Sequence, residues 1–145
     1  MSEKQEAVVR RMMEEVWNKR KVEAIDTFFT KDYVNHDPIN PTNGLEAYRN
    51  VVNKYHAAFP DCRLDIDELL SAGDTVVMRW RYSGTQRGQL EGLPPTGRHA
   101  TGTGITICRF SGDRIKEAFV NWDALGLMQQ LGAVTLPGKA SAAGA

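Results

Sequence analysis

Arg63 to Thr85 reads RLDIDELLSAGDTVVMRWRYSGT, and this stretch decides the fold. Leu64, Ile66 and Glu68 alternate with Asp65 and Asp67, a period of two that belongs to a strand. Ala72-Gly73-Asp74 is a turn signal. Beyond it Val76, Met78, Trp80 and Tyr82 share one face of a second strand, and Val77, Arg79 and Arg81 share the other. Upstream of Pro60 the period is different. Val9, Met12, Met13, Val16 and Trp17 fall at i, i+3, i+4, i+7 and i+8, one apolar stripe on a helix over 2–20. Val22, Ile25, Phe28 and Phe29 predict a short second helix. Leu45, Tyr48, Val52, Tyr55 and Phe59 mark a third, which Pro60 ends. The connecting TKDYVNHDPINPTNG is crowded with turn formers and reads as a loop.

Downstream, RGQLEGLPPTGRH is an irregular connection and ATGTGITICRF a Thr-rich strand. SGDR is a hairpin signal leading into the strand IKEAFVNWD. ALGLMQQLG is a short closing helix with Gly132 past its end. Helices followed by an antiparallel set of strands predict an α+β fold. The expected architecture is a cone-shaped α+β barrel, three N-terminal helices packed on a strongly curved antiparallel sheet, with a pocket inside.

The 145 residues fit one domain, here 1–134, with the Gly/Ala-rich 135–145 as a flexible C-terminal tail. Lys+Arg and Asp+Glu are both 18, so the balanced charge argues against a nucleic-acid or anionic-membrane partner. No window approaches the length of a membrane span, and the charged N-terminus has no secretory h-region. Cys62 and Cys108 form neither a disulfide framework nor a CxxC pair, which suits reduced thiols and a cytoplasmic location. His36, His56 and His99 lack metal-ligand spacing, so no metal is expected. No phosphate loop, GxSxG or nucleotide motif occurs.

Pairing Phe110 with Ile115 across the hairpin puts Ile115, Glu117, Phe119, Asn121 and Asp123 on one face. Its apolar members argue that this face looks into the pocket. Asp123 then sits at the pocket end of the strand beside Trp and Phe rings, where burial raises a carboxyl's proton affinity. The same residue also fits an N-cap for ALGLMQQLG. Trp80, Tyr82 and Gln86 continue the inner face of the preceding strand, as core or as a platform for a flat ligand. Trp17, Asn53 and Phe59 on the helices are further wall candidates. His36 in VNHDP suits either a turn or the pocket mouth.

Taken together, VNHDP, AFPD, SAGDTVVMRWRYSGTQRG, GLPPTGR, RFSGDRIKEAFVNWD and GLMQQLG resemble the SnoaL-like polyketide cyclases, over about residues 4–134. The resemblance implies an intramolecular aldol condensation on an aromatic polyketide ester, with no metal or organic cofactor. It implies Asp123 as acid/base, with Trp17 and Asn53 lining the pocket. The catalytic candidates are therefore Asp123 and His36. The substrate-binding candidates are Trp17, Asn53, Phe59, Trp80, Tyr82, Gln86, Phe119 and Asn121. The additional His of the cyclases, on the strand before the hairpin, has no counterpart in GITICRF. Relatives with the cone fold also imply a homodimer or homotetramer around a small hydrophobic ligand. The competing expectations are an epoxide-hydrolase-like centre, which needs Arg79 or Arg81 turned inward, and a non-enzymatic small-molecule module.

Overall fold

Arg63–Thr85 forms β3 (Arg63–Ala72) and β4 (Thr75–Thr85), an antiparallel pair joined at Gly73, where φ is +57°. A bulge at Asp67 breaks the expected alternation of β3, so Glu68 lies outside with Arg79 and Leu69 joins Leu64 and Ile66 against the core. The computed structural model describes residues 2–138, so 139–145, most of the expected tail, lie outside the described residues. β5 (His99–Ser111) pairs with β4, and β6 (Arg114–Trp122) pairs with β5, both antiparallel. Across them lie α1 (Ser2–Met12), α2 (Ile25–Phe28) and α3 (Leu45–Ala58), and α4 (Ala124–Gln130) follows β6.

Three further expectations are corrected. The first concerns TKDYVNHDPINPTNG, which is not all loop. β1 (Phe29–His36) runs through it, followed by the two-residue β2 (Thr42–Asn43). Its buried residues are Phe29, Tyr33 and Asn35, and a register shift between Phe29 and Val34 breaks the period that would have betrayed a strand. Second, β1 pairs with β6 in parallel, so the sheet is mixed. Its order is β2-β1-β6-β5-β4-β3, with β2 and β3 as free edges; it is a curved open sheet and not a closed barrel. Third, the N-terminal helices differ in form from the expectation, while the closing helix is found as α4; the described residues hold four α-helices in all. The first predicted helix ends in a π-helical turn, Met13–Asn18, where the Lys19 N–H donates to the Glu14 carbonyl at 2.8 Å. Such turns insert an extra residue and rotate the buried face. The second predicted helix is a 3₁₀ turn, Val22–Ala24, followed by the single turn of α2.

One irregularity decides the site. Between β5 and β6 the register runs from Phe110↔Ile115 to Arg109↔Glu117, leaving Lys116 as an extra residue. A bulge of one residue exchanges the faces of everything beyond it. Ile115, Ala118, Val120 and Trp122 face inward, while Phe119 and Asn121 are exposed on the outside. The core that results joins Val9, Met13, Val16, Phe28, Tyr48 and Val52 from the helices to Val76, Met78, Cys108 and Ile115 from the sheet. Among the described residues no helix is long and apolar enough to cross a membrane.

Candidate functional site

Between the helices and the inner face of the sheet lies a cavity of about 140 Å³. One water needs about 10–15 Å³ measured this way, so the space holds a ligand or several waters. Most of its wall is apolar and aromatic. Trp17, Phe59, Trp80 and Tyr82 line it, as do Tyr33, Tyr48, Tyr55 and Trp122.

Two glycines make that wall possible. Trp80 is paired with Gly104 and Tyr82 with Gly102 on β5. A Cβ at Gly104 would sit 2.3 Å from the Trp80 indole, and one at Gly102 would sit 2.3 Å from the Tyr82 ring. The Gly-Thr-Gly of β5 thus clears space for two rings to lie flat on the sheet. The indole N–H of Trp80 donates to Thr106 Oγ1 at 2.9 Å, which satisfies the buried threonine.

Asp123 does not enter this chamber. It is exposed, and its Oδ1 accepts the Gly126 N–H at 2.8 Å as the N-cap of α4. With Asn121 it borders a shallow open groove on the outer face of the sheet. The Lys116 bulge is the physical cause, since it reverses the parity on which the inward reading stood. Phe119 and Asn121 are turned outward by the same slip. His36 is also outside. Its ring stacks on Phe119 with centroids 4.4 Å apart, and its Nε2 lies 2.7 Å from Glu117. Asn53 is exposed because it follows Val52 by one position, about 100° around the helix from the buried stripe. Gln86 is fully buried but faces its own loop. Its Nε2 donates to the carbonyls of Gly88, Leu93 and Pro94, and its Oε1 accepts the Thr96 N–H and hydroxyl. It staples the 86–98 connection and does not line the cavity.

The carboxylate that does line the chamber is Asp37, at the end of β1. It is 8% exposed. Its Oδ1 accepts the backbone N–H groups of Ile39 at 2.9 Å and Asn40 at 3.3 Å. The Trp122 indole N–H reaches both oxygens at 3.2 Å. Oδ2 therefore retains lone pairs beyond that one contact. Asp37 stands next to Pro38 among turn residues, so an Asx turn was the only signal, and it does not announce a pocket.

Four tyrosines line the same chamber. Burial pushes the Tyr55 phenol up to about 12 and holds Tyr33, Tyr48 and Tyr82 well above the usual tyrosine range. All four are therefore neutral hydrogen-bond donors at ordinary pH. Tyr33 gives its proton to Asn35 Oδ1 at 3.0 Å. The Tyr82 hydroxyl is buried and has no protein partner among the described residues. A buried hydroxyl without a partner costs free energy, so it is poised for a ligand acceptor. His56 meets the Trp17 ring edge-on and lies 3.1 Å from its carbonyl; burial, and then the Arg20 charge, lower its proton affinity. His99 is exposed against Thr85. Arg79 and Arg81 are exposed and paired with Asp67 and Glu68, so no guanidinium of the described residues lines the cavity. Among the described residues no group of His, Cys, Asp and Glu has the arrangement of a metal site.

The family model for SnoaL-like polyketide cyclases matches residues 7–131. The chain belongs to the SnoaL-like polyketide cyclase family. Aklanonic acid methyl ester cyclase DnrD of Streptomyces peucetius is 32% identical over 130 residues, which cover 86% of this chain and 88% of DnrD. A protein of Acidithiobacillus ferrooxidans proposed to be a polyketide cyclase superposes with a TM-score of 0.81 at 33% identity, over 91% of this chain and 96% of its own. IdmH of Streptomyces antibioticus, another proposed polyketide cyclase, gives 0.78 at 25% identity, over 88% and 98%. The α+β sheet and its helices are thus those of the SnoaL-like family, with the chamber described above at their centre.

Proposed function

We propose that this SnoaL-like protein is a cyclase or isomerase that moves protons on a flat, hydrophobic ketone or ester without a cofactor. Asp37 is the acid/base in this reading. Oδ2 takes a proton from the carbon next to a carbonyl; the C–H electron pair forms the new C=C bond, and the carbonyl π pair moves onto oxygen. Tyr82 donates a hydrogen bond to that oxygen and keeps its own proton. The enolate carbon then attacks a second carbonyl of the same molecule, whose oxygen is protonated from Asp37. Bond making and proton return balance, as an intramolecular aldol requires. Trp17, Phe59 and Trp80 serve as walls for the rings.

The observation that carries the reading is a single nine-tenths-buried carboxylate, with lone pairs to spare, in an aromatic chamber that also holds an unpartnered phenol. The epoxide-hydrolase alternative lacks support because both arginines are outside. The carrier alternative accounts for the cavity and for the backbone contacts of Asp37 but gives the unpartnered Tyr82 hydroxyl no task.

Two tests apply to the protein. With aklanonic acid methyl ester, chromatography should show a product of unchanged mass, as ring closure demands. In D₂O, NMR should show faster deuterium uptake at the activated carbon of 2-tetralone, and Asp37→Asn should remove that acceleration. Wild-type protein inert in both assays, or exchange that survives in Asp37→Asn, sinks the assignment.

We further propose that the outer face of the sheet joins a second copy. Leu70, Val77, Ile107 and Phe119 are neighbours in one row across four strands. Leu70 is 60% and Phe119 37% exposed, an apolar row that a monomer has little reason to keep. The free thiols of Cys62 and Cys108 fit a reducing compartment, in line with a cytoplasmic location.

A further inference from the structure

Above the chamber, α3 and the connections after β1 and β4 are tied by one chain of hydrogen bonds. Lys54 Nζ donates to Asn40 Oδ1 at 2.7 Å and also holds Glu91 Oε1. The Asn40 amide nitrogen donates to the Tyr55 hydroxyl at 2.9 Å. Asn40 is buried, while Lys54 and Glu91 sit at the rim.

The direction of this chain follows from what each group can do. An ammonium only donates, so the amide must turn its oxygen to Lys54. Its NH₂ then faces Tyr55, and an NH₂ cannot accept, so the phenol oxygen must accept there. A phenol has one proton, and among the described residues no acceptor takes it. Tyr55 lines the cavity, and its ring meets the edge of Trp122 at 6.1 Å. The Tyr82 ring meets the same indole at 6.0 Å, from a second side. Trp122 in turn is held by Asp37. The two tyrosine rings thus pack on one indole, and both line the chamber.

We propose that Lys54 and Asn40 form a one-way relay that keeps the Tyr55 proton turned into the chamber, where Tyr55 and Tyr82 together receive an oxygen of the ligand as it becomes negative. Tyr55 is then a second oxyanion donor, and Asn40 and Lys54 are positioning residues. The ligand class this selects is an enolisable ketone or ester, and not a neutral hydrocarbon. The inference rests on the proposed chemistry of the chamber but is tested without turnover.

The probe is 4-nitrophenol, a flat phenol whose anion absorbs in the visible and imitates an enolate. Its neutral methyl ether, 4-nitroanisole, is the control. Wild-type protein should prefer the phenolate, raising its visible band at a pH where the free phenol is partly ionised. Tyr55→Phe should weaken phenolate binding about tenfold, equivalent to about 1.4 kcal/mol, and leave 4-nitroanisole within about twofold. Asn40→Leu should do the same, and Lys54→Met should produce a smaller loss, about threefold, because the amide is then free to turn. Asp37→Asn should not weaken the phenolate, since it removes a like charge. Equal loss of both probes in Tyr55→Phe would reveal a packing role and overturn the relay. Phenolate binding that Tyr55→Phe does not change, or a wild type with no preference for the anion, overturns it too. Deuterium exchange retained by Asp37→Asn alongside phenolate loss in Tyr55→Phe would remove the base and keep the relay.

Discussion

Asp37 and Asp123 end two neighbouring parallel strands, β1 and β6, and both accept backbone N–H groups just beyond the strand. Their surroundings are opposite. Asp37 is nine-tenths buried and bound to an indole, whereas Asp123 is exposed and holds the first turn of α4. An acceptor role toward the backbone is common to both, so capping alone does not distinguish structure from chemistry. What separates them is the face on which the preceding strand delivers its last side chains.

The contrast can be broken most sharply at Asp37. Asp37→Asn should lower catalysed deuterium exchange by about 10²–10⁴, the range a general base contributes. Its Oδ1 can still accept from Ile39 and Asn40, so the variant should fold. Exchange reduced less than about threefold would move the chemistry elsewhere.

A second test acts on the outer face. Phe119→Arg places a charge at the β6 end of the apolar row, and loss of a buried aromatic anchor weakens association by about 2 kcal/mol or more. Light scattering should then find a monomer where the wild type is a dimer or tetramer. A wild type that is already monomeric at micromolar concentration dismisses the interface.

The third test reads the inner side through pH. All 4 tyrosines have proton affinities raised first by burial. A raised folded-state value means that these neutral phenols add stability below about pH 10, the ordinary tyrosine value. That contribution is lost as pH climbs through the folded-state values, about 12 for Tyr55. Tyrosinate absorbance should stay absent at pH 10 and appear together with the loss of far-ultraviolet circular dichroism. Reversible ionisation of one tyrosine near pH 10, with the fold intact, would place that phenol in water.

The smallest effect belongs to Asp123. Asp123→Ala should cost about 1 kcal/mol in urea denaturation, the value of a lost N-cap, and leave exchange per folded molecule unchanged. Asp123→Asn, an equally good cap, should be close to neutral. A large loss of exchange in either variant would restore a chemical role to the exposed acid.

Much of this is legible in the sequence. The alternation of Val76, Met78, Trp80 and Tyr82 names the inner face of β4, because no bulge interrupts the pairing of β4 with β5. The helical stripes led to Trp17 and Phe59 in the same way. β6 was illegible for a physical reason. Glu117, Phe119 and Asn121 compete with Ala118, Val120 and Trp122 for the inside, and one extra residue at Lys116 settles it. The uniformly apolar character of the second set was the available clue, set against a first set holding Glu117 and Asn121. β1 was hidden by its own register shift, and Asp37 with it. Gln86 looked like a pocket residue because a buried amide and a ligand-binding amide share one pattern; only the carbonyls around it tell them apart.

The strand order has a consequence for how the protein is made. β6 alone connects β1 to β5, so without it the sheet separates into β1–β2 and β3–β4–β5. His36 and Phe119, side by side in the finished molecule, are 83 positions apart along the polymer (119 minus 36). Such distant partners meet late, after much loop entropy has been spent. On the ribosome, then, Asp37 emerges 85 positions ahead of Trp122 and must wait for that stretch before its indole partner is synthesised.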